Sequence, residues 1–327
     1  MAASLDDLRL QNEEVLDRFL NTPFWESDDA ISSLLSRDCI LDFPFAPPGM
    51  PKSFDRPRRA VLTSWLRRTV KNWSRPQDSI VKYPTKDLSR FWIESRTVAD
   101  VTWGGPHVRK FDCTHVELVV INDGKVTLAR TWSDPLPYYT AAGMNLPIFH
   151  YSGRWGVPVP EKQYALPDKI PEEGDEATAL RQKLFDIFLR PNYFDTEREG
   201  PKKAQWFTKD FMPNMPFMPK GMVRQYNDEF LASCNEWLYS SLVEWDQQVT
   251  DFHEDKFLDP NVSIIETNGS RGLAKWDPSG AVSGYFNDYV IMVKLEDFQI
   301  AEVKEWLDPV NKLLAAGTMV PCFPFFY

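Results

Sequence analysis

Asp38-Cys39-Ile40-Leu41-Asp42-Phe43-Pro44-Phe45-Ala46-Pro47-Pro48-Gly49-Met50 returns later in the chain as Asp210-Phe211-Met212-Pro213-Asn214-Met215-Pro216-Phe217-Met218-Pro219-Lys220-Gly221-Met222. Asp, Pro, Phe, Pro, Gly and Met recur in register at an offset of 172 positions. The same offset carries Trp65-Leu66 onto Trp237-Leu238 and Trp73 onto Trp245. Towards the end of each half the offset becomes 174, and Trp132-Ser133-Asp134-Pro135 meets Trp306-Leu307-Asp308-Pro309. Ala141-Ala142-Gly143 likewise meets Ala315-Ala316-Gly317, and Pro147-Ile148-Phe149 meets Pro321-Cys322-Phe323. So many matches, in order and with small changes of register, read as an internal duplication.

Composition places the boundary. Residues 153–174 hold Pro158, Pro160, Pro167 and Pro171 with little periodicity, so they read as a linker. The expected organisation is repeat 1 over 1–152, the Pro-rich linker over 153–174 and repeat 2 over 175–327. With 327 residues, each half is long enough to bury its own core.

Within the first half, Leu8, Val15, Leu16 and Phe19 form one helical stripe. A short second helix is expected near Asp28–Leu35 and a strand near Cys39–Phe45. Asp55 caps a helix that Pro57 opens and that runs to about Val70. Strands follow at about 79–83, 90–102, 109–121 and 125–133, the last two joined by an Asn122-Asp123-Gly124 turn. The second half repeats the order, with helices near Glu176–Leu189 and Asn227–Trp245 and a final turn near Glu296-Asp297. Helices followed by a run of strands predict an α+β fold, a curved antiparallel sheet wrapped around a helix.

The bulk numbers exclude several functions. The formal net charge is −10, and the basic clusters, Arg56 to Arg59 and Arg67-Arg68, are short, so a nucleic-acid footprint is missing. The N-terminal residues lack a signal peptide's basic and apolar regions, and no apolar run would span a bilayer, so the chain reads as intracellular and soluble. Four cysteines and four histidines are scattered without metal-ligand spacing, and no phosphate loop, dinucleotide fingerprint or nucleophile elbow is present. No metal and no organic cofactor are expected.

The closing hairpins carry a resemblance. The segment Asp123-Gly124-Lys125, with the strand ending Trp132-Ser133-Asp134-Pro135, looks like the last hairpin of SnoaL-like proteins. The second half shows the pattern more fully, in Tyr285-Phe286-Asn287-Asp288-Tyr289-Val290 and Glu305-Trp306-Leu307-Asp308-Pro309. The chain thus resembles two tandem SnoaL-like (NTF2-like) cone folds, and by this pattern it resembles the phenazine-biosynthesis A/B proteins among them. The resemblance implies two cones packed as a pseudo-dimer within one chain. It also implies a cofactor-independent pocket enzyme of specialised metabolism that cyclises, isomerises or condenses a medium-sized, partly apolar intermediate. In those proteins a His on the long helix and a Glu on the last strand handle protons. By register the Glu position falls on Glu305 and Thr131, and the His position on Glu236 and Ser64, so neither half keeps the histidine.

Glu305 is the leading candidate acid/base from its own strand. Ala301, Val303, Glu305 and Leu307 share one face, so a carboxylate stands in an otherwise apolar row. If that row faces a cavity, desolvation raises its pKa towards neutrality. If the strand lies at an edge, Glu305 reaches solvent instead. Asp288 and Tyr289, on the neighbouring strand, are candidates to complete a network with it. Glu236 is either a second carboxylate opposite Glu305 or part of a solvated helix face. Asp42 is either an acid for a first-half pocket or a turn residue. Trp276, Trp237 and Trp103 read as pocket wall or core, and Thr131 and His115 as ligand-orienting or ordinary strand residues. Two rival functions remain: epoxide opening by paired carboxylates, and a non-catalytic binding or scaffold protein.

Overall fold

The structure is a computed structural model that describes residues 5–154, 156, 171–189, 206–247 and 253–325. The chain divides into two compact units, one formed by 1–146 with 320–327 and the other by 147–319. Most of the expected linker lies outside the described residues.

The first unit begins with helices α1 (Leu5–Asn21) and α2 (Asp28–Leu34). The stripe expected on α1 is buried at Val15, Leu16 and Phe19, while Leu8, in the first turn, is exposed. Strand β1 (Leu35–Asp42) and the short β2 (Ser53–Phe54) follow, then α3 (Arg56–Thr69). Asp55 caps α3 by accepting from the Arg58 N–H at 3.2 Å. Strands β3 (Val70–Ser74), β4 (Val81–Pro84), β5 (Arg90–Val101), β6 (Arg109–Asn122) and β7 (Lys125–Ser133) complete the sheet, and α4 (Leu136–Ala141) closes the unit. Asp123 and Gly124 both adopt positive φ, as a two-residue turn joining β6 to β7 requires.

The sheet runs β2-β1-β7-β6-β5-β3, with β4 on β5. It is not wholly antiparallel: β1 lies parallel to β7, pairing Leu41 with Ala129 and Asp42 with Arg130. Alternation alone does not reveal strand direction, and β1 and β7 are far apart in sequence.

The second unit contains α5 (Asp175–Leu189), α6 (Asp228–Ser241), β8 (Leu242–Gln247), β9 (His253–Glu254), β10 (Val262–Ala274), β11 (Ser283–Glu296), β12 (Gln299–Leu307) and α7 (Pro309–Ala315). The order is β12-β11-β10-β8, with β9 on β10. The helix expected to reach Trp245 stops at Ser241, and Trp245 lies in β8. The β-branched Val243 and the aromatic Trp245 suit a strand there. In place of β1, single parallel bridges join Phe207 to Ile300 and Asn214 to Lys304 on β12. These sit 172 and 174 positions beyond Leu35–Val126 and Asp42–Arg130, which pair in the first unit.

The unit boundaries correct the sequence reading at both tails. Residues 147–152, expected to end the first half, belong to the second unit, and 320–327 belong to the first. The reason is local packing. Phe149 donates its N–H to the Lys220 carbonyl at 2.7 Å and sets its ring against Trp237 and Trp276. Phe323 does the same in the first unit, donating to the Pro48 carbonyl and packing on Trp65 and Trp103. Gly49 and Gly221, both at positive φ, let these tails approach: a Cβ would stand 2.7 Å from the Phe323 carbonyl oxygen and 2.2 Å from that of Phe149. Among the described residues no helix is long and apolar enough to cross a membrane.

Candidate active site

Each unit encloses a cavity between its long helix and its sheet. In the second unit the cavity has a volume of about 100 Å³. Asn227 caps α6 by accepting from the Phe230 N–H at 2.9 Å, and that helix turns Leu231, Cys234 and Leu238 to the cavity at helical spacing. Alternation along β11 presents Tyr285, Tyr289 and Ile291, and along β12 it presents Val303 and Glu305. Trp276 stacks on Trp237 at 5.3 Å and fixes its indole by donating Nε1–H to Ser241 Oγ at 2.9 Å. Trp276 lines the cavity, and Trp237 buttresses it from behind.

Glu305 sits where the strand row placed it, facing this cavity. Its strand is not an open edge. The Glu305 N–H donates to the Asn214 carbonyl and the Asn214 N–H to the Val303 carbonyl, each at 2.9 Å. The residue is half-buried, as befits a carboxyl lining a cavity with a mouth. Burial pushes the carboxyl up to about 7, and the Lys312 ammonium opposes the rise. The surrounding phenols stay protonated, since burial pushes those of Tyr226, Tyr285 and Tyr289 upwards. Tyr285 and Tyr289 share a hydrogen bond of 3.0 Å, and the Asn287 amide donates to Tyr285 at 2.9 Å.

Three candidate acids stand elsewhere. Asp288 lies on the opposite face of β11 from Tyr285, Tyr289 and Ile291, because neighbours on a strand cannot share a face. Glu236 is exposed, on the α6 face away from the cavity. Asp42 pairs with Arg130 at 3.3 Å on the side of β1 opposite Leu41, which lines the first unit's cavity. Among the described residues lining the second cavity, Glu305 is the sole carboxylate. Asp308 caps α7, accepting from the Val310 N–H at 2.9 Å, and Asp134, just before Pro135, accepts from the Leu136 N–H at 3.0 Å.

The first unit's cavity, about 110 Å³, is built differently. Thr131, Trp103 and His115 line it, and so does Glu117, which stands on the β6 row of Cys113 and His115. Glu117 is buried and clamped by Arg75 through both carboxylate oxygens, one contact being 3.1 Å. Thr131 donates to it at 3.0 Å. Burial alone would raise its pKa, but Arg75 outweighs burial and holds it below the usual carboxylate value. His115 Nδ1 meets Ser133 Oγ at 2.7 Å, and burial lowers its pKa to about 4, so the ring is neutral.

Glu117 pairs across the strands with Thr131, and Ile291 pairs with Glu305. These are corresponding pairs, 174 positions apart, with the acid on opposite strands. The row signal that found Glu305 was equally present at Glu117. The buried Lys312 had no such signal, because its helix is too short to show a periodic face. Among the described residues, no group of three His, Cys, Asp or Glu side chains could hold a metal ion.

No protein-family model matches the chain, and no curated protein matches it in sequence. Solved structures do. A phenazine biosynthesis-related protein from Pseudomonas aeruginosa matches at 18% identity, covering 47% of this chain and 97% of its own, with a TM-score of 0.40. A provisionally assigned SnoaL-like polyketide cyclase from Jannaschia covers 44% of this chain and 99% of its own at 15% identity and a TM-score of 0.34. The BvnE pinacolase from Penicillium brevicompactum covers 42% and 94% at 14% identity and a TM-score of 0.34.

Proposed function

We propose that the second unit's cavity is the active site of a cofactor-independent acid/base enzyme that cyclises, isomerises or condenses a partly apolar intermediate, with Glu305 as the proton carrier. The observation that carries this reading is a lone carboxyl in an aromatic-walled cavity, pushed up to about 7. A carboxyl so poised exchanges protons with a carbon or oxygen acid near neutral pH. The apolar wall of Trp276, Ile291 and Val303 would bind the substrate's hydrocarbon part, and the Tyr285–Tyr289 pair would orient an oxygen. Epoxide opening by paired carboxylates is disfavoured, since Glu305 has no second acid beside it among the described lining residues. In the first unit Arg75 fixes Glu117 as a permanent anion, so that cavity would bind or support rather than move a proton. The matched tails, glycines and cross-strand pairs support an origin by tandem duplication.

The test is Glu305→Gln assayed against candidate carbonyl or polyketide-like intermediates. Turnover should fall by about 10²–10⁴-fold. The wild-type rate should titrate near pH 7, rising with pH if Glu305 acts as base and falling if it acts as acid. Normal turnover by Glu305→Gln would dismiss the assignment.

A further inference from the structure

Among the described residues lining the Glu305 cavity, Lys312 is the one amine. It projects from α7, is only 6% exposed, and places Nζ 5.9 Å from the centroid of the Trp276 ring. The helix is held at both ends: Asp308 caps its start, and the Lys312 carbonyl accepts from the Ala316 N–H at 3.0 Å. No carboxylate among the described residues lies within ion-pair distance of Nζ. The ionisable groups facing it are Glu305 from β12, Cys234 from α6, Tyr285 and Tyr289 from β11, and Tyr226 ahead of α6. Tyr138 occupies the corresponding place in the first unit, so the fold itself does not call for an amine there.

A buried lysine without a clamping partner is normally a poor choice for stability. It is a good choice for a nucleophile. We propose that Lys312 attacks a ketone or aldehyde carbonyl of the substrate and forms a Schiff base, making the cavity specific for carbonyl compounds. This rests on the reading of Glu305 as the proton carrier only for the rate, not for the bond. The free amine adds to the carbonyl carbon, and the oxygen takes the proton that the nitrogen gives up, leaving a neutral carbinolamine. The hydroxyl leaves as water after a second protonation, for which Glu305 is the nearby donor. A protonated C=N remains, and it withdraws electrons from the adjacent carbon, whose proton Glu305 can then remove. Burial depresses the Lys312 ammonium while Glu305 and Cys234 oppose the shift.

The test uses pentane-2,4-dione, a small 1,3-diketone that condenses with a free amine, losing one water, to an ultraviolet-absorbing enaminone. At pH 7 the intact protein should show one fast phase, and peptide mass mapping should place that adduct on Lys312. Its rate should exceed that of the surface lysines, because burial leaves more of it as free amine. Lys312→Met, which keeps length and apolar packing, should lose the fast phase alone. Label spread over surface lysines without Lys312, or a fast phase that survives in Lys312→Met, would overturn the proposal. Should Lys312→Met fail to fold, the wild-type map decides by itself. Glu305→Gln separates the two readings: a slower adduct on Lys312 supports both, whereas an unchanged rate keeps the Lys312 nucleophile and removes Glu305 as its proton carrier.

Discussion

Glu305 and Glu117 both line cavities, from cross-strand pairs 174 positions apart, and Arg75 is what separates their electrostatics. Beside Arg75, Glu117 gains from ionisation more than burial costs it. Glu305 has only the more distant Lys312, and desolvation dominates. This has a consequence for stability. A carboxyl whose folded pKa is about 7 against an ordinary 4.5 binds its proton more tightly when folded. Its contribution is full below the ordinary value and is lost as pH rises through 7. Glu305→Gln mimics the protonated acid permanently. Its melting temperature should match wild type near pH 4 and exceed it near pH 8, by the equivalent of about 1–3 kcal/mol. Equal melting at both values would show that Glu305 is solvated like a surface acid.

At the level of elements, two features position the cavities: strand alternation and the glycines that admit the tails. Alternation places Glu305 with Val303 and excludes Asp288 from the company of Tyr289. Gly221 has φ +103°, and an added Cβ would meet the Phe149 carbonyl. Gly221→Ala should therefore cost more than about 1 kcal/mol, since both the dihedral and the contact oppose it. Gly280, also at positive φ but with open space around it, tests the contact: Gly280→Ala should cost less. Thermal melting of the two variants decides. Equal losses would mean that the tail approach contributes nothing.

For the whole molecule, the first unit is completed by residues 320–327, a tail distant from it in sequence. Phe323 and Phe325, each 2% exposed, pack on Trp65 in the first unit. Deleting residues 320–327 removes both rings, and losing one such buried ring typically costs about 3–5 kcal/mol. Hydrogen exchange should then show lost protection in β5, β6 and β7, with β10 to β12 protected as before. Uniform loss in both units would mean that they unfold as one cooperative body. Uniform protection would mean that the tail is dispensable.

The order of elements and the shared face of Val303 and Glu305 on β12 were legible in the sequence. They depend on periodicity, on turn residues such as Asp123-Gly124, and on matches preserved along one chain. Asp42 failed as a pocket acid because its row on β1 is the outer one, a matter of which face the parallel partner β7 leaves to the core. Trp245 was read as helical because an aromatic extends a stripe as readily as it begins a strand. The Arg75–Glu117 clamp joins residues that only the sheet brings together, and Lys312 reaches the cavity from a helix of seven residues. The tails were assigned to the wrong units because sequence order measures distance along the chain, whereas burial of Phe149 and Phe323 follows whichever aromatic cluster the folded chain offers. The sequence determined the order of elements and which side chains share a strand face, such as Val303 with Glu305. Only the tertiary structure decided which charges stand within reach of one another, and therefore which acid is locked and which can titrate.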